Sequence, residues 1–192
     1  MKPSQAPETD ADSHPCSGRG GAIRYRNARL QDAAALAAFS AESFVDSFGH
    51  LYPPEDLAAY ISEKYGSARQ SAEISDPLTH YRLALRGKAI VGYCKIGACG
   101  LPIDGANGET AIELHRLYVD ESAKGAGVAQ TLMDEALAWA RARGARALYL
   151  SVWENNHRAQ NFYRRYGFEH IGEHGFMVGR VRDRDFIWQL AL

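Results

Sequence analysis

Leu117-Tyr118-Val119-Asp120-Glu121-Ser122-Ala123-Lys124-Gly125-Ala126-Gly127-Val128-Ala129-Gln130 carries an apolar run into a glycine-broken loop and then into a helical pattern. Upstream, Ile112, Leu114 and Arg116 alternate with Glu113, His115 and Leu117, a period-two strand that ends in the apolar run from Leu117 to Val119. Downstream, Val128, Leu132, Ala136 and Ala140 return at helical spacing, flanked by Ala129, Met133 and Leu137, while Arg141, Arg143 and Gly144 supply a basic last turn and a stop. The loop therefore opens a helix. Glycines at 125 and 127 let backbone N–H groups approach an anion with no side chain in the way, and the first helical turn adds unpaired donors and a partial positive charge. Lys124 contributes a full charge. A diphosphate-bearing cofactor suits this order of parts.

A Walker A loop requires Gly-Lys-Ser/Thr at its end, whereas Gly127 is followed by Val128 and Ala129. A dinucleotide fingerprint requires its glycines directly after the strand and a third Gly or Ala three residues past the second. Here a spacer intervenes and Gln130 stands in that third place. A plain flexible turn before an amphipathic helix stays open on the loop alone.

The following segments narrow the choice. Ala147 to Trp153 reads as a buried strand, and Asn155 to Phe168 as a short helix ended by Gly167. With these parts in view the chain resembles the GNAT superfamily of acetyl-CoA-dependent N-acetyltransferases. That superfamily's pyrophosphate motif, Gln/Arg-x-x-Gly-x-Gly/Ala, is met by Lys124, Gly127 and Ala129, with Lys in the first place. Its second signature, Asn-x-x-Ala-x-x-x-Tyr-x-x-x-Gly-Phe, is met by Asn156, Ala159, Tyr163, Gly167 and Phe168. The departure at Lys124 is chemically mild, since the family reads phosphates mainly through main-chain amides, although Lys lacks the planar fork of Arg.

Composition agrees with a soluble enzyme. The 192 residues suffice for one domain with a substantial core, and a net charge of −1 gives no global basic field for nucleic acid. Apolar stretches are strand-sized, so no membrane span is expected. Residues 1–21, rich in Pro, Ser, Asp and Gly, read as a disordered tail rather than a signal peptide. Cys16, Cys94 and Cys99 are an odd set without metal-ligand spacing, and free thiols in a reducing cytoplasm are expected. Five residues apart, Cys94 and Cys99 would lie on opposite faces of one regular strand.

From Ala22 the order is a strand to Ala28, a helix from Gln31 to Phe48 capped near Asp32, a helix from Pro53-Pro54 to about Tyr65, and a third from Ser67 to Ser75. His80 to Leu85 and Ala89 to Ile96 form a hairpin around Arg86-Gly87-Lys88, and Asp104 to Gly108 marks a loop. Two strands, about 168–178 and 184–191, close the chain. This is the order of the GNAT fold: an α/β protein with a central, mixed, twisted sheet of about seven strands flanked by helices, residues 22–192 forming a single domain.

The resemblance implies the site. An alkyl ammonium, with a pKa of about 10, must lose a proton before it attacks a thioester, and the departing thiolate benefits from a proton donor. The family's general acid maps onto Tyr163, while Tyr166 reads as packing. Glu113 and His115, two apart on one strand and sharing a face, are the candidate bases, and a base acting through ordered water stays open beside them. Main-chain groups of Leu117, Tyr118 and Val119 would pair with pantetheine amides as a strand pairs with a sheet edge. The run Gly125, Ala126, Gly127, Val128, Ala129 and Gln130, with Lys124, would hold the pyrophosphate, and Asn156 would contact or position the pantetheine arm. No metal is required, and His170 and His174 with Glu169 and Glu173 are too far apart along a strand to share one, roughly 13 Å over four residues.

For the acceptor, Glu113-Leu114-His115-Arg116-Leu117-Tyr118-Val119 and the tail His174 to Gly179 resemble the branch containing PaiA-type spermidine/spermine N-acetyltransferases. A polyamine would need carboxylates, and Glu42, Asp46, Glu55 and Asp56 could provide them or simply face solvent. A protein N-terminus or lysine as acceptor, and a non-catalytic acyl-CoA sensor, are the competing readings. The family often forms homodimers, so a homodimer is expected.

Overall fold

The computed structural model describes residues 21–103 and 111–192. Residues 1–20 of the tail, Cys16 among them, and the Asp104 to Gly108 loop lie outside the described residues. Seven strands form one sheet in the order β1-β2-β3-β4-β5-β7-β6. They are β1 (Ile23–Asn27), β2 (Thr79–Arg86), β3 (Ala89–Ala98), β4 (Ala111–Val119), β5 (Ala147–Trp153), β6 (Glu169–Val178) and β7 (Val181–Ala191). Every neighbouring pair is antiparallel except β4 and β5. The helices are α1 (Ala33–Phe48), α2 (Pro54–Tyr65), α3 (Ser67–Ser75), α4 (Val128–Ala142) and α5 (His157–Arg165).

Alternation along the strands divides the core. Cys94 and Ile96 of β3 and Leu148, Leu150 and Val152 of β5 turn toward α4 and α5, where they meet Leu132, Met133, Ala136 and Ala140. The α4 stripe expected from its 3.6-residue period is therefore the stripe that is buried. Complete burial of a side chain such as Leu132 contributes about 1.5–3 kcal/mol. Tyr81, Leu83 and Tyr93 point to the other face, against Leu36 of α1 and Ile74 of α3. Further along that face Phe44, Tyr52 and Tyr65 form an aromatic cluster with Val178.

Two irregularities in β4 shape the site. Arg116 opposes Lys95 while Leu114 opposes Ile96, so His115 is an extra residue in a β-bulge. The bulge shifts the phase: Ile112 and Leu114 before it, and Leu117 and Val119 after it, pack in the same core. Arg116 is thus not on the face of Ile112 and Leu114, as unbroken alternation would have it. Second, β4 pairs with β5 only from Ala111 to Glu113, after which the two strands run on without partnering each other. Between them opens a cleft lined on one side by the unpaired edge of β4.

Other boundaries differ locally from expectation. Helix α1 begins at Ala33 after a 3-10 turn at Leu30–Asp32. Asp32 does not cap it, because its carboxylate is taken by Arg26 at 2.6 and 2.8 Å and by the Arg29 amide at 2.7 Å. Strand β7 starts at Val181, as β6 and β7 are joined by a tight turn at Gly179-Arg180. Cys99 falls just past the end of β3 and so does not share one regular strand with Cys94, and both described cysteines are free thiols.

Candidate active site

The glycine loop lies at the mouth of the β4/β5 cleft. Gly125 and Gly127 have φ of +79° and +77°, a region that costs other residues strain, and Gly127 occupies the N-cap position of α4. The amides of Lys124 and Ala126 are consumed inside the loop by Glu121 and Ala123 carbonyls at 3.2 and 3.3 Å. Those of Gly125, Gly127, Val128, Ala129 and Gln130 donate to no protein acceptor among the described residues. Such a nest of unused donors at a helix start suits a phosphate. The Lys124 ammonium is paired with Glu121, which offsets part of its charge.

These groups line a cavity of about 680 Å³ that extends along the unpaired edge of β4, past Leu117, Tyr118 and Val119, to Asn156 and Tyr163. All the expected cofactor-binding residues are in its wall except Ala126, whose amide is also occupied. Arg158 and Arg165, which the sequence reading passed over, add cations to the wall from one side of α5. Glu42 and Asp46 also face this cavity rather than an acceptor site, while Glu55 and Asp56 are paired with Arg180 at 2.5 and 3.1 Å. None of the four carboxylates expected to hold a polyamine lines the second cavity.

That second cavity, about 590 Å³, lies between the sheet and α1 and α2, and it contains Glu113, His115, Ser151, His174, Asp183 and Asp185. Six residues belong to both walls: Phe48, Leu117, Tyr118, Asn156, Ala159 and Tyr163. The two spaces therefore meet at Tyr163.

Glu113 is buried at the point where β4 and β5 part, its carboxylate 3.0 Å from His115 Nδ1 and accepting the Gly100 amide at 2.9 Å. Burial opposes its charge, but the His115 contact, His115's charge and the Gly100 amide outweigh it and hold the carboxyl below its ordinary range. Tyr163 is held by Phe162 and Phe168, with ring centroids at 5.5 and 5.7 Å, and burial alone pushes its hydroxyl above the usual value, which keeps it protonated.

Asn156 caps α5, its Oδ1 accepting the Ala159 amide at 3.1 Å. Gln160 ties the same helix to the end of β5 through the carbonyls of Trp153 and Glu154 at 3.2 and 2.7 Å, and the Tyr166 hydroxyl reaches the Gln130 carbonyl and Asp134 at 3.2 and 3.0 Å. Tyr166 thus packs, as expected, and also locks α5 to the start of α4.

Across three strands, Ser151 donates to Asp185 at 2.8 Å and its oxygen lies 2.8 Å from His174 Nε2. Burial raises the Asp185 pKa, with the Ser151 hydrogen bond offsetting part of the effect. His170 is spent elsewhere, bonded to the Gly172 carbonyl at 2.8 Å and set against Phe186.

An amide-lined loop at a helix start, opening on a cleft between splayed parallel strands that meets a second cavity, suits a transferase with a phosphate-bearing donor. The acetyltransferase (GNAT) family model matches residues 41–168, and the chain belongs to this family of acetyl-CoA-dependent N-acetyltransferases. It is 30% identical over 166 residues to an uncharacterized N-acetyltransferase from the pepI 3′ region of Lactobacillus delbrueckii subsp. lactis, covering 84% of this chain and 93% of the relative. To an uncharacterized N-acetyltransferase of Mycobacterium tuberculosis it is 32% identical over 158 residues, covering 82% and 96%. Its fold is similar to that of the PaiA N-acetyltransferase from Thermoplasma acidophilum, solved in complex with coenzyme A, at a TM-score of 0.71 and 22% identity, over 89% of this chain and 99% of the other. Among the described residues no helix is long and apolar enough to cross a membrane.

Proposed function

We propose that residues 22–192 act as one domain that transfers acetyl from acetyl-CoA to a small primary amine bound in the cavity of Glu113, with Tyr163 as general acid and the Glu113–His115 pair as base. The observation that carries this reading is the position of Tyr163 in the walls of both cavities. The free amides of the glycine loop fit the pyrophosphate, and the unpaired edge of β4 fits the pantetheine amides. Bound acetyl-CoA supplies an acyl thioester. Glu113, ionised at neutral pH, draws the ammonium and takes its proton directly or through a water, its carboxylate held in place by the His115 contact. Tyr163, kept protonated by burial, donates to the departing sulfur.

A volume of about 590 Å³, walled on the helix side by Phe44, Phe48, Tyr52 and Tyr60, is of small-molecule size and supports a small acceptor over a protein chain. Polyamines, suggested by the PaiA-like segments, and amino acids both belong to this class, and they differ in what they need at the far end of the cavity. The test is release of free CoA thiol from acetyl-CoA with spermidine, spermine, simple amines, amino acids and peptides. Turnover with at least one small amine is expected. Acetylation of peptides alone would contradict the small acceptor, and acetyl-CoA binding without any turnover would indicate a sensor.

A further inference from the structure

Arg116 leaves β4 on the same face as Glu113, because the bulge at His115 restores that face three residues on. Its guanidinium lies over the ring of Tyr65 at 4.4 Å and stands 3.9 Å from Glu73, beyond hydrogen-bond range. It approaches the Tyr93 hydroxyl without reaching bonding geometry. A guanidinium has five N–H donors. Among the described residues Arg116 engages none of them in a hydrogen bond, and Nη1 is wholly buried without an acceptor, on a side chain only 14% exposed.

Glu73 is engaged by other donors, Arg69 at 2.7 Å, Lys95 at 3.0 Å and the Tyr81 hydroxyl, and at 3.9 Å it gives Arg116 charge but no hydrogen bond. A buried charged donor without an acceptor is costly. Arg116 also forms part of the acceptor cavity's wall, with Lys64 and Lys95 beside it on that wall, so an anion in the cavity could take the unused donors.

Spacing limits that anion. Glu113 opposes Gly97 and Arg116 opposes Lys95, two positions apart on β3, so the two side chains rise from one face roughly 7 Å apart. A small molecule that carries an amine and a carboxylate one to three carbons apart can address both side chains from within the cavity that they share.

We propose that the acceptor is a primary amine that also carries a carboxylate, in the simplest case an amino acid, and that Arg116 binds its carboxylate while Glu113 receives its amine. The inference rests on the small-amine reading above. A polyamine would instead set cations against Lys64, Lys95 and Arg116.

The experiment is kcat/KM by CoA-thiol release for a series of α-, β- and γ-amino acids, each beside its primary amide, with spermidine in the same panel, for the natural chain and for Arg116→Gln. The best acid should exceed its amide by about 10- to 100-fold, the range for a charged hydrogen-bonded pair, and Arg116→Gln should bring that ratio toward one mainly through KM. Amides or spermidine turned over as well as the acids would overturn carboxylate recognition and leave the small-amine reading standing. No turnover of any of these small amines would overturn both. Should Arg116→Gln fail to fold, the acid-to-amide ratio of the natural chain decides by itself.

Discussion

Tyr163 and Glu113 are both buried yet differ in charge, because only Glu113 has partners that oppose desolvation. Among the described residues the tyrosine hydroxyl has no charged partner, so desolvation alone acts and favours the proton-bearing form; the carboxylate has His115 and the Gly100 amide, which overcome desolvation. Tyr163→Phe should lower kcat by about 10²-fold or more with acetyl-CoA affinity little changed, as steady-state kinetics and a binding titration would check. Glu113→Gln should cost a similar factor in kcat. Because burial pushes the Tyr163 pKa up from an ordinary value of 10.0, its ionisation should remove no activity below about pH 10, which a kcat/KM profile tests. Tyr163 and Asn156 were legible in the sequence because the helix that carries both is a continuous motif. Ser151, His174 and Asp185 were not, since their meeting depends on the register of β5, β7 and β6, in which His174 lies opposite Asp185. Arg116 was hidden for a related reason: only the bulge brings it to the face of Glu113.

The loop and helix that open the cofactor cavity depend on two residues with positive φ and on a helix start left uncapped by side chains. Gly127→Glu should abolish acetyl-CoA binding, because it brings backbone strain, bulk and a negative charge to the anion site; a binding titration with unchanged affinity would remove the loop from the account. At α5, Asn156→Ala removes the cap and should cost about 1 kcal/mol of stability, measurable by denaturant unfolding. The 3.6-residue pattern of α4 and the glycine stop after it were plain in the sequence and recur in the structure. The bulge was not, although one trace of it exists: Leu117 and Val119 are out of phase with Ile112 and Leu114, as a strand buried on one face requires only when a residue has been inserted.

Across the described residues the order of strands and helices was readable because most turns are marked by Gly or Pro, as at Gly66, Pro77, Gly87, Gly144 and Gly179. What the early helices contribute was not, since the placement of Glu42, Asp46, Glu55 and Asp56 follows from how α1 and α2 sit on the sheet. The sheet's second face also holds a buried charge cluster around Glu73. Burial resists ionisation there, but hydrogen bonds from Tyr81 and Arg69 and the charge of Lys95 win, and the carboxyl is held at about 2, below its ordinary 4.5. A depressed folded-state pKa stabilises the fold fully above the unfolded value, and that contribution fades as pH falls from about 5 toward 2. Glu73→Gln should therefore destabilise the protein by roughly 3 kcal/mol at neutral pH, leaving Lys95 and Arg69 without a carboxylate, and the gap to the natural protein should narrow in urea unfolding as the pH is lowered through that window. The most direct test of the central claim, that transfer occurs where the two cavities meet, is a crystal structure with acetyl-CoA bound. The pyrophosphate should lie on the free amides of Gly125, Gly127, Val128, Ala129 and Gln130, the pantetheine arm along the unpaired edge of β4, and the thioester sulfur within hydrogen-bond reach of the Tyr163 hydroxyl. A thioester lying away from Tyr163, or a pantetheine arm outside the β4/β5 cleft, would contradict it.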